Sequence, residues 1–223
     1  SMYGREAQLI VLFNGYSEKL ENNIMKANCS CTLIKASKNI IVDTMTAWDR
    51  DKILQALIRH GVKPDQIDYV ICTHSHADHI GNNNLFLNAE HIIGTCVHSG
   101  EIFLDKNLQN GDAPEIYLKY KICPEVKVVT TPGHTSDDVT VLVETKKHAK
   151  PICFAITGDL FEKEEDISDP SIWKELGTVE LQKTQSLMRS YIINIADFIV
   201  PGHGPMFCVT DDMRKIIKDQ IIT

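Results

Sequence analysis

The chain has 223 residues, 43% of them hydrophobic, and a formal net charge of -7. That supports one sizeable core and reads as a single domain over residues 1–223. The acidic balance disfavours generic binding to a nucleic-acid backbone. No apolar run reaches the roughly 18 residues of a transmembrane helix, so no membrane partner is expected.

No signal-peptide pattern opens the chain, and Ser1-Met2 reads as a tag-cleavage remnant, so native targeting residues are not read from this end. The seven cysteines are an odd number without Cys-x-x-Cys spacing. Cys72, Cys153 and Cys208 lie in or beside apolar runs and read as buried free thiols of a reducing compartment. Cys29 and Cys31 share a strand face, which is poor disulfide geometry.

Leu9 to Val42 reads as successive strands, with a hairpin at Ala36-Ser37-Lys38-Asn39. Ile40-Ile41-Val42 is a short apolar strand ending in Asp43. Ile53, Leu54, Leu57 and Ile58 then recur at helical spacing, and Gly61 stops the helix. His60 reads as a polar group at that helix end. Tyr69-Val70-Ile71-Cys72 is the next strand. It runs straight into Thr73-His74-Ser75-His76-Ala77-Asp78-His79, which packs three imidazoles and one carboxylate into six residues. Neutral imidazole and carboxylate oxygen suit zinc, and also iron or manganese.

Residues from about Ser99 to Pro124 read as irregular, with Asn110-Gly111-Asp112 and Ala113-Pro114, and long enough for a lid or substrate wall. Lys119 and Lys121 near its end, with Lys127, form a cluster that could flank an entrance. The strand Lys127-Val128-Val129-Thr130 leads to Gly133-His134. Ile152 to Ile156 leads to Gly158-Asp159, and an acidic loop, Glu162 to Pro170, follows. Val179 to Ile195 reads as a helix. Phe198-Ile199-Val200 then leads to Gly202-His203. A Gly precedes each of these three candidate ligands and permits a positive φ or a close approach of backbone to an ion. Thr210 is placed to cap a last helix, with Asp211 and Asp212 in its first turn. His91, His98 and His148 read as surface residues, and Trp48 and Trp173 as core or rim anchors.

The order strand, Asp, helix, strand, His occurs twice. Two βαβ-like halves with their strand ends at one edge imply sheets covered by helices. The expected fold class is α/β, a four-layer αβ/βα sandwich with the site along its top edge.

The motifs His74-x-His76-x-Asp78-His79, Gly133-His134, Gly158-Asp159 and Gly202-His203 resemble those of the metallo-β-lactamase-fold hydrolases. The resemblance implies that His74, His76 and His134 hold one divalent ion, and that Asp78, His79 and His203 hold a second. Asp159 and a water would bridge the two, with zinc favoured. Asp78 and Asp159 are the implied catalytic carboxylates, Asp78 orienting the nucleophile. Asp43 would support a ligating imidazole from behind. The carboxylate at Asp159, where true β-lactamases often use a Cys near the second metal, argues against antibiotic hydrolysis.

Phe13-Asn14-Gly15-Tyr16, His79-Ile80-Gly81-Asn82, Gly158-Asp159-Leu160-Phe161-Glu162 and Val200-Pro201-Gly202-His203-Gly204-Pro205 resemble one member of that superfamily more closely. This resemblance implies an endoribonuclease acting on the 3′ region of histone precursor RNA, hence an RNA partner and a nuclear or cytoplasmic location. Nothing in it opposes a homodimer. Two other readings fit the same constellation: a thioester hydrolase resembling glyoxalase II, and a mononuclear iron enzyme resembling persulfide dioxygenases. A binding module that has lost its chemistry is disfavoured, because every ligand position holds a competent residue.

Overall fold

Ile40, Ile41 and Val42 are all fully buried, yet they do not share a face. Side chains alternate across a strand. Ile40 and Val42 pack with Val128, Val141 and Ile156 of a second sheet, whereas Ile41 packs with Ile53 and Leu57 of a helix. The same split recurs on the other half, where Val200 faces the first sheet and Ile199 packs with Met188 and Ile192 of a helix. Two sheets are therefore each buried on both faces, which is the physical content of a four-layer sandwich.

The computed structural model describes residues 6–104 and 118–223. Its first half contains β1 (Gln8–Phe13), β2 (Tyr16–Lys19), β3 (Met25–Asn28), β4 (Cys31–Lys35), β5 (Asn39–Val42), α1 (Arg50–Arg59), β6 (Tyr69–Cys72), β7 (Glu90–Ile93), β8 (Cys96–Ser99) and β9 (Ile102–Phe103). Apart from the β2–β3 hairpin, these strands form one sheet in the order β1-β4-β5-β6-β7-β8-β9. The second half contains β10 (Leu118–Cys123), β11 (Val126–Thr130), β12 (Val139–Lys147), β13 (Lys150–Gly158), α2 (Ser171–Leu176), α3 (Gln182–Ile195), β14 (Phe198–Pro201), β15 (Phe207–Cys208) and α4 (Asp211–Asp219). Its strands form the second sheet in sequence order. β5 runs parallel to β6, and β13 runs parallel to β14. The doubled unit of the sequence is thus two parallel pairs, each crossed by a helix, with Asp43, His74, Asp159 and His203 just past the strand ends.

The predicted helices hold. Gly61 follows α1 at φ +70°, and the Thr210 hydroxyl accepts the Met213 N–H at the start of α4. Several expectations change. Part of the stretch from Ser99 to Pro124 is strand, β9 and β10, while Asn110-Gly111-Asp112, Ala113-Pro114 and the side chain of Lys119 lie outside the described residues. His91 and His98 are half-buried register partners across β7 and β8, with ring centroids 5.4 Å apart. All seven cysteines are free, but Cys208 is exposed on the short strand β15. Among the described residues no helix is long and apolar enough to cross a membrane.

The acidic loop after Asp159 is solvated only in part, with Glu164, Glu165 and Asp169 exposed. Glu162 is 1% exposed and Asp166 is fully buried. Arg189 of α3 meets Asp166 through two N–H groups, at 2.9 and 3.1 Å, and donates to Leu160 O at 2.9 Å. Its guanidinium lies 4.2 Å from the Phe161 ring centre and 5.0 Å from that of Trp173. Asp166 also accepts the Glu162 N–H at 2.7 Å. Burial pushes the Asp166 carboxyl up more than Arg189 pulls it down. Removing one partner of such a pair typically costs about 3–5 kcal/mol. Arg189→Met should lower stability by about that much in urea unfolding, and by more at pH 8 than at pH 5, because the abandoned carboxyl can take a proton only at lower pH. A loss within about 0.5 kcal/mol, the usual range for surface substitutions, would show that the pair does not fix this loop.

Candidate metal centre

The end of β6 is fixed before any imidazole is placed. Asp43 has φ +63° just past β5. Its carboxylate accepts the Thr73 N–H at 2.8 Å and the Thr73 hydroxyl at 2.9 Å. The same carboxylate lies 3.0 Å from His79 Nδ1. That contact places the His79 proton on Nδ1 and turns Nε2 toward the centre. His203 is set in the same way: its Nδ1 lies 2.9 Å from Asn28 O, so Nε2 faces inward.

Of the three glycines, Gly158 meets the expectation of a positive φ, and all three also clear space for protein groups. At Gly158 φ is +53°, and a Cβ there would collide with the Thr73 side chain. A Cβ on Gly202 would collide with Asp159 Oδ1, and one on Gly133 would lie 2.6–2.7 Å from Gln185. These glycines make room for protein groups, and so let strand ends from both sheets close on one point.

The seven predicted residues come together there. Donor atoms of His74, His76, His134 and Asp159 all lie within 4.8 Å of one another, as do those of Asp78, His79 and His203. His76 Nδ1 is 2.9 Å from His74 Nε2 and 3.2 Å from His134 Nε2. Asp159 Oδ2 is 3.6 Å from His74 Nε2 and 3.4 Å from His134 Nε2. Ligand atoms around a tetrahedral zinc at about 2.0 Å stand roughly 3.3 Å apart, so this spacing fits a cation of that size. In the second group Asp78 Oδ2 is 3.7 Å from His79 Nε2 and 3.5 Å from His203 Nε2. Asp159 reaches this group too, at 3.4 Å from His79 and 3.2 Å from His203.

Two buried atoms test the fit. His79 Nε2 and Asp159 Oδ1 face each other without a hydrogen-bond partner among the described residues. Buried polar atoms are rarely left so, and a cation between them accounts for both. His76 is exposed and Asp78 half-exposed, so the centre opens to solvent on their side.

The electrostatics divide the imidazoles in two. Burial and the neighbouring His79 hold His74 well below the usual imidazole range, and burial lowers His134. Burial also acts on His203 and His79, but Asp159 outweighs it. His203 is held up at about 9, and His79, helped by Asp43, well above its ordinary value. Asp159 is pushed up by its burial but pulled further down by His79 and His203, and ends well below the carboxylate range.

Residues not read as part of the site also appear. Asn28 orients His203 through its main chain, which leaves no residue-type signal in a sequence. Glu162 lies 3.7 Å from His134 and 3.9 Å from His203. Its signal, a carboxylate three residues after Asp159, was masked by the other acids of its loop. Cys29 is buried beside Asp43 and His79 and forms a further group of close donors with them. Cys208 joins none of the donor groups found among the described residues.

Comparison with known proteins agrees with this geometry. The family described as the Metallo-beta-lactamase superfamily matches residues 26–203. Metallo-beta-lactamase domain-containing protein 1 of Xenopus laevis is 36% identical over 199 residues, covering 89% of this chain and 80% of that protein. An N-acyl homoserine lactonase of a Bacillus species is 33% identical over 125 residues, covering 52% of this chain and 50% of that one. A solved N-acyl homoserine lactone hydrolase, with its product at the catalytic metal center, superposes with a TM-score of 0.57 at 17% identity, covering 90% of this chain and 93% of that one.

Elemental analysis at saturation should find two divalent ions per chain. A single ion, with His79 and His203 unperturbed in imidazole NMR, would overturn the paired arrangement. Cation uptake must displace the proton held on His203, so affinity on that side should rise with pH up to about 9. Chelator competition between pH 6.5 and 9 checks this sign, and an affinity independent of pH would contradict it.

Proposed function

The chain belongs to the metallo-beta-lactamase superfamily, a family of metal-dependent hydrolases, and on that premise we propose that it is a dinuclear hydrolase cleaving phosphodiesters of single-stranded RNA. The observation that carries the dinuclear part is Asp159. Its two oxygens stand between the donor group of His74, His76 and His134 and the group of Asp78, His79 and His203. Bound there, two divalent cations would supply Lewis acidity toward a phosphoryl or carbonyl oxygen and toward water. Zinc is favoured, with iron or manganese compatible with the oxygen donors.

The chain's own residues hold and aim this chemistry. Asp43 and the Asn28 carbonyl keep His79 and His203 in one tautomer each. Asp78 is the acidic member on the open side. On this reading it would orient an attacking water and accept its proton as a general base.

The RNA assignment rests on the closer resemblance of the Phe13–Tyr16, Gly158–Glu162 and Val200–Pro205 stretches, not on a basic surface. Lys127 sits at the start of β11, at the opposite end of that strand from the His134 loop. It lies 4.0 Å from Glu144, and Lys121 is its register partner. Neither lysine flanks the centre. Similarity to an N-acyl homoserine lactonase supports a second reading, hydrolysis of a carboxylic ester or thioester on the same constellation.

A defined single-stranded RNA, a matched DNA, a glutathione thioester and an acyl homoserine lactone, tested at equal metal loading, separate the two. RNA cleavage should predominate. Its binding should fall with salt along a log–log slope of about -2 to -4, at roughly -0.7 per neutralised phosphate. Asp159→Ala should abolish turnover of whichever substrate is productive while the fold persists by circular dichroism, and His148→Ala should be nearly silent. Rapid ester or thioester turnover without RNA cleavage would replace the RNA reading. Wild-type turnover in Asp159→Ala would sink the mechanism itself.

A further inference from the structure

Glu162 is a buried carboxylate to which the mechanism above gives no task. Its backbone is fixed on both sides: its N–H donates to Asp166 at 2.7 Å, and its carbonyl accepts the His203 N–H at 2.8 Å. Its Oε1 lies 3.7 Å from His134 Nδ1. Both atoms are buried, and neither has a hydrogen-bond partner among the described residues. His134 turns its other nitrogen, Nε2, toward His76 and Asp159. A ring that offers the Nε2 lone pair to a cation carries its proton on Nδ1, and that proton needs an acceptor. His79 has Asp43 for this purpose and His203 has the Asn28 carbonyl. For His134, the acceptor facing that nitrogen is Glu162.

We propose that Glu162 is the positioning residue of His134, its carboxylate accepting the Nδ1 proton once a cation draws Nε2 inward. The gap of 3.7 Å is longer than a hydrogen bond by less than about 1 Å, which a small ring rotation closes. The two donor groups would then be supported alike, by Asp43 behind His79 and by Glu162 behind His134. The inference rests on the proposed dinuclear reading only in taking His74, His76 and His134 as one donor set. The competing role is direct ligation, since Glu162 Oε2 lies 3.9 Å from His203 Nε2 and Glu162 forms a compact donor group with Asp159 and His203.

The test uses the full chain as wild type, Glu162→Gln and Glu162→Leu. Metal-free protein is titrated with zinc against a competing chelator, bound ions are counted by elemental analysis, and imidazole tautomers are read from long-range 1H–15N correlation spectra. Positioning predicts that both variants still take up as many ions as wild type. Affinity for the ion that perturbs the His74, His76 and His134 resonances should fall about 10–100-fold in Glu162→Leu and less in Glu162→Gln, whose amide oxygen still accepts. The His134 Nδ1–H resonance of zinc-loaded wild type should be shifted far downfield and move back in Glu162→Gln. Loss of one ion at saturation in the variants would make Glu162 a direct ligand and overturn the proposal. So would an unchanged affinity together with an unmoved His134 resonance. If Glu162→Leu does not fold, the nearly isosteric Gln variant decides alone. None of these readouts needs a substrate, so failure of the RNA assignment leaves them untouched. A wild type that binds one ion only would count against the dinuclear reading, while the His134 resonance would still report on Glu162.

Discussion

Thr73 is where the two halves of the sandwich meet, and the centre exists because they meet so closely. Its hydroxyl and N–H are held by Asp43 from the first sheet. Its carbonyl accepts the Val139 N–H of the second sheet at 2.9 Å. Its side chain fills the space a Cβ on Gly158 would need. A second seam runs alongside, where Ser30 N donates to Gly202 O at 2.8 Å and the Ser30 hydroxyl donates to Pro201 O at 2.8 Å. These contacts bring the ends of β6, β13 and β14 to one point. Each strand then needs only a short loop to deliver a donor there, and short loops hold their side chains with little freedom to lose.

That convergence creates an electrostatic problem which defines the chemistry. Five imidazoles surround the nearly buried carboxylate of Asp159, with Asp43 and Glu162 buried behind His79 and His134. Burial alone would neutralise every one of these groups. Instead they divide, with His74 and His134 held neutral and His79 and His203 pulled toward the protonated form by Asp159. A cation taken up here would have to displace those protons, so its affinity would follow pH.

The fold itself does not choose a substrate. The top edge brings the candidate donors together and leaves His76 and Asp78 facing solvent. What approaches them is set by the surrounding loops. The overall charge is acidic, and Lys121 and Lys127 pair at the end of β11 away from the His134 loop, so neither extends a basic track to the centre. On the proposed reading, recognition of RNA would come from a few contacts near the scissile bond. An ester or lactone, as acted on by the named lactonase relative, would need fewer still.

Much of this was legible along the chain, because the signals are local. The apolar runs, the carboxylates and imidazoles at their ends, and the doubled order of elements depend only on neighbouring residues. They sufficed to place His74, His76, Asp78, His79, His134, Asp159 and His203 at one edge of a four-layer sandwich. What tertiary structure alone decided depends on groups distant in sequence. Trp48 is 91% exposed while Trp173 is buried beneath Arg189, though nothing around either tryptophan in the sequence separates them. In the sequence Glu162 and Asp166 look no different from Glu164, Glu165 and Asp169 of the same loop, and only packing buries the first two and leaves the others exposed. The glycines before His134, Asp159 and His203 clear space for Gln185, Thr73 and Asp159, and the tautomer of His203 is set by a main-chain carbonyl 175 positions away. Burial and hydrogen-bond direction are properties of the packed chain, and no local pattern of residue types encodes them.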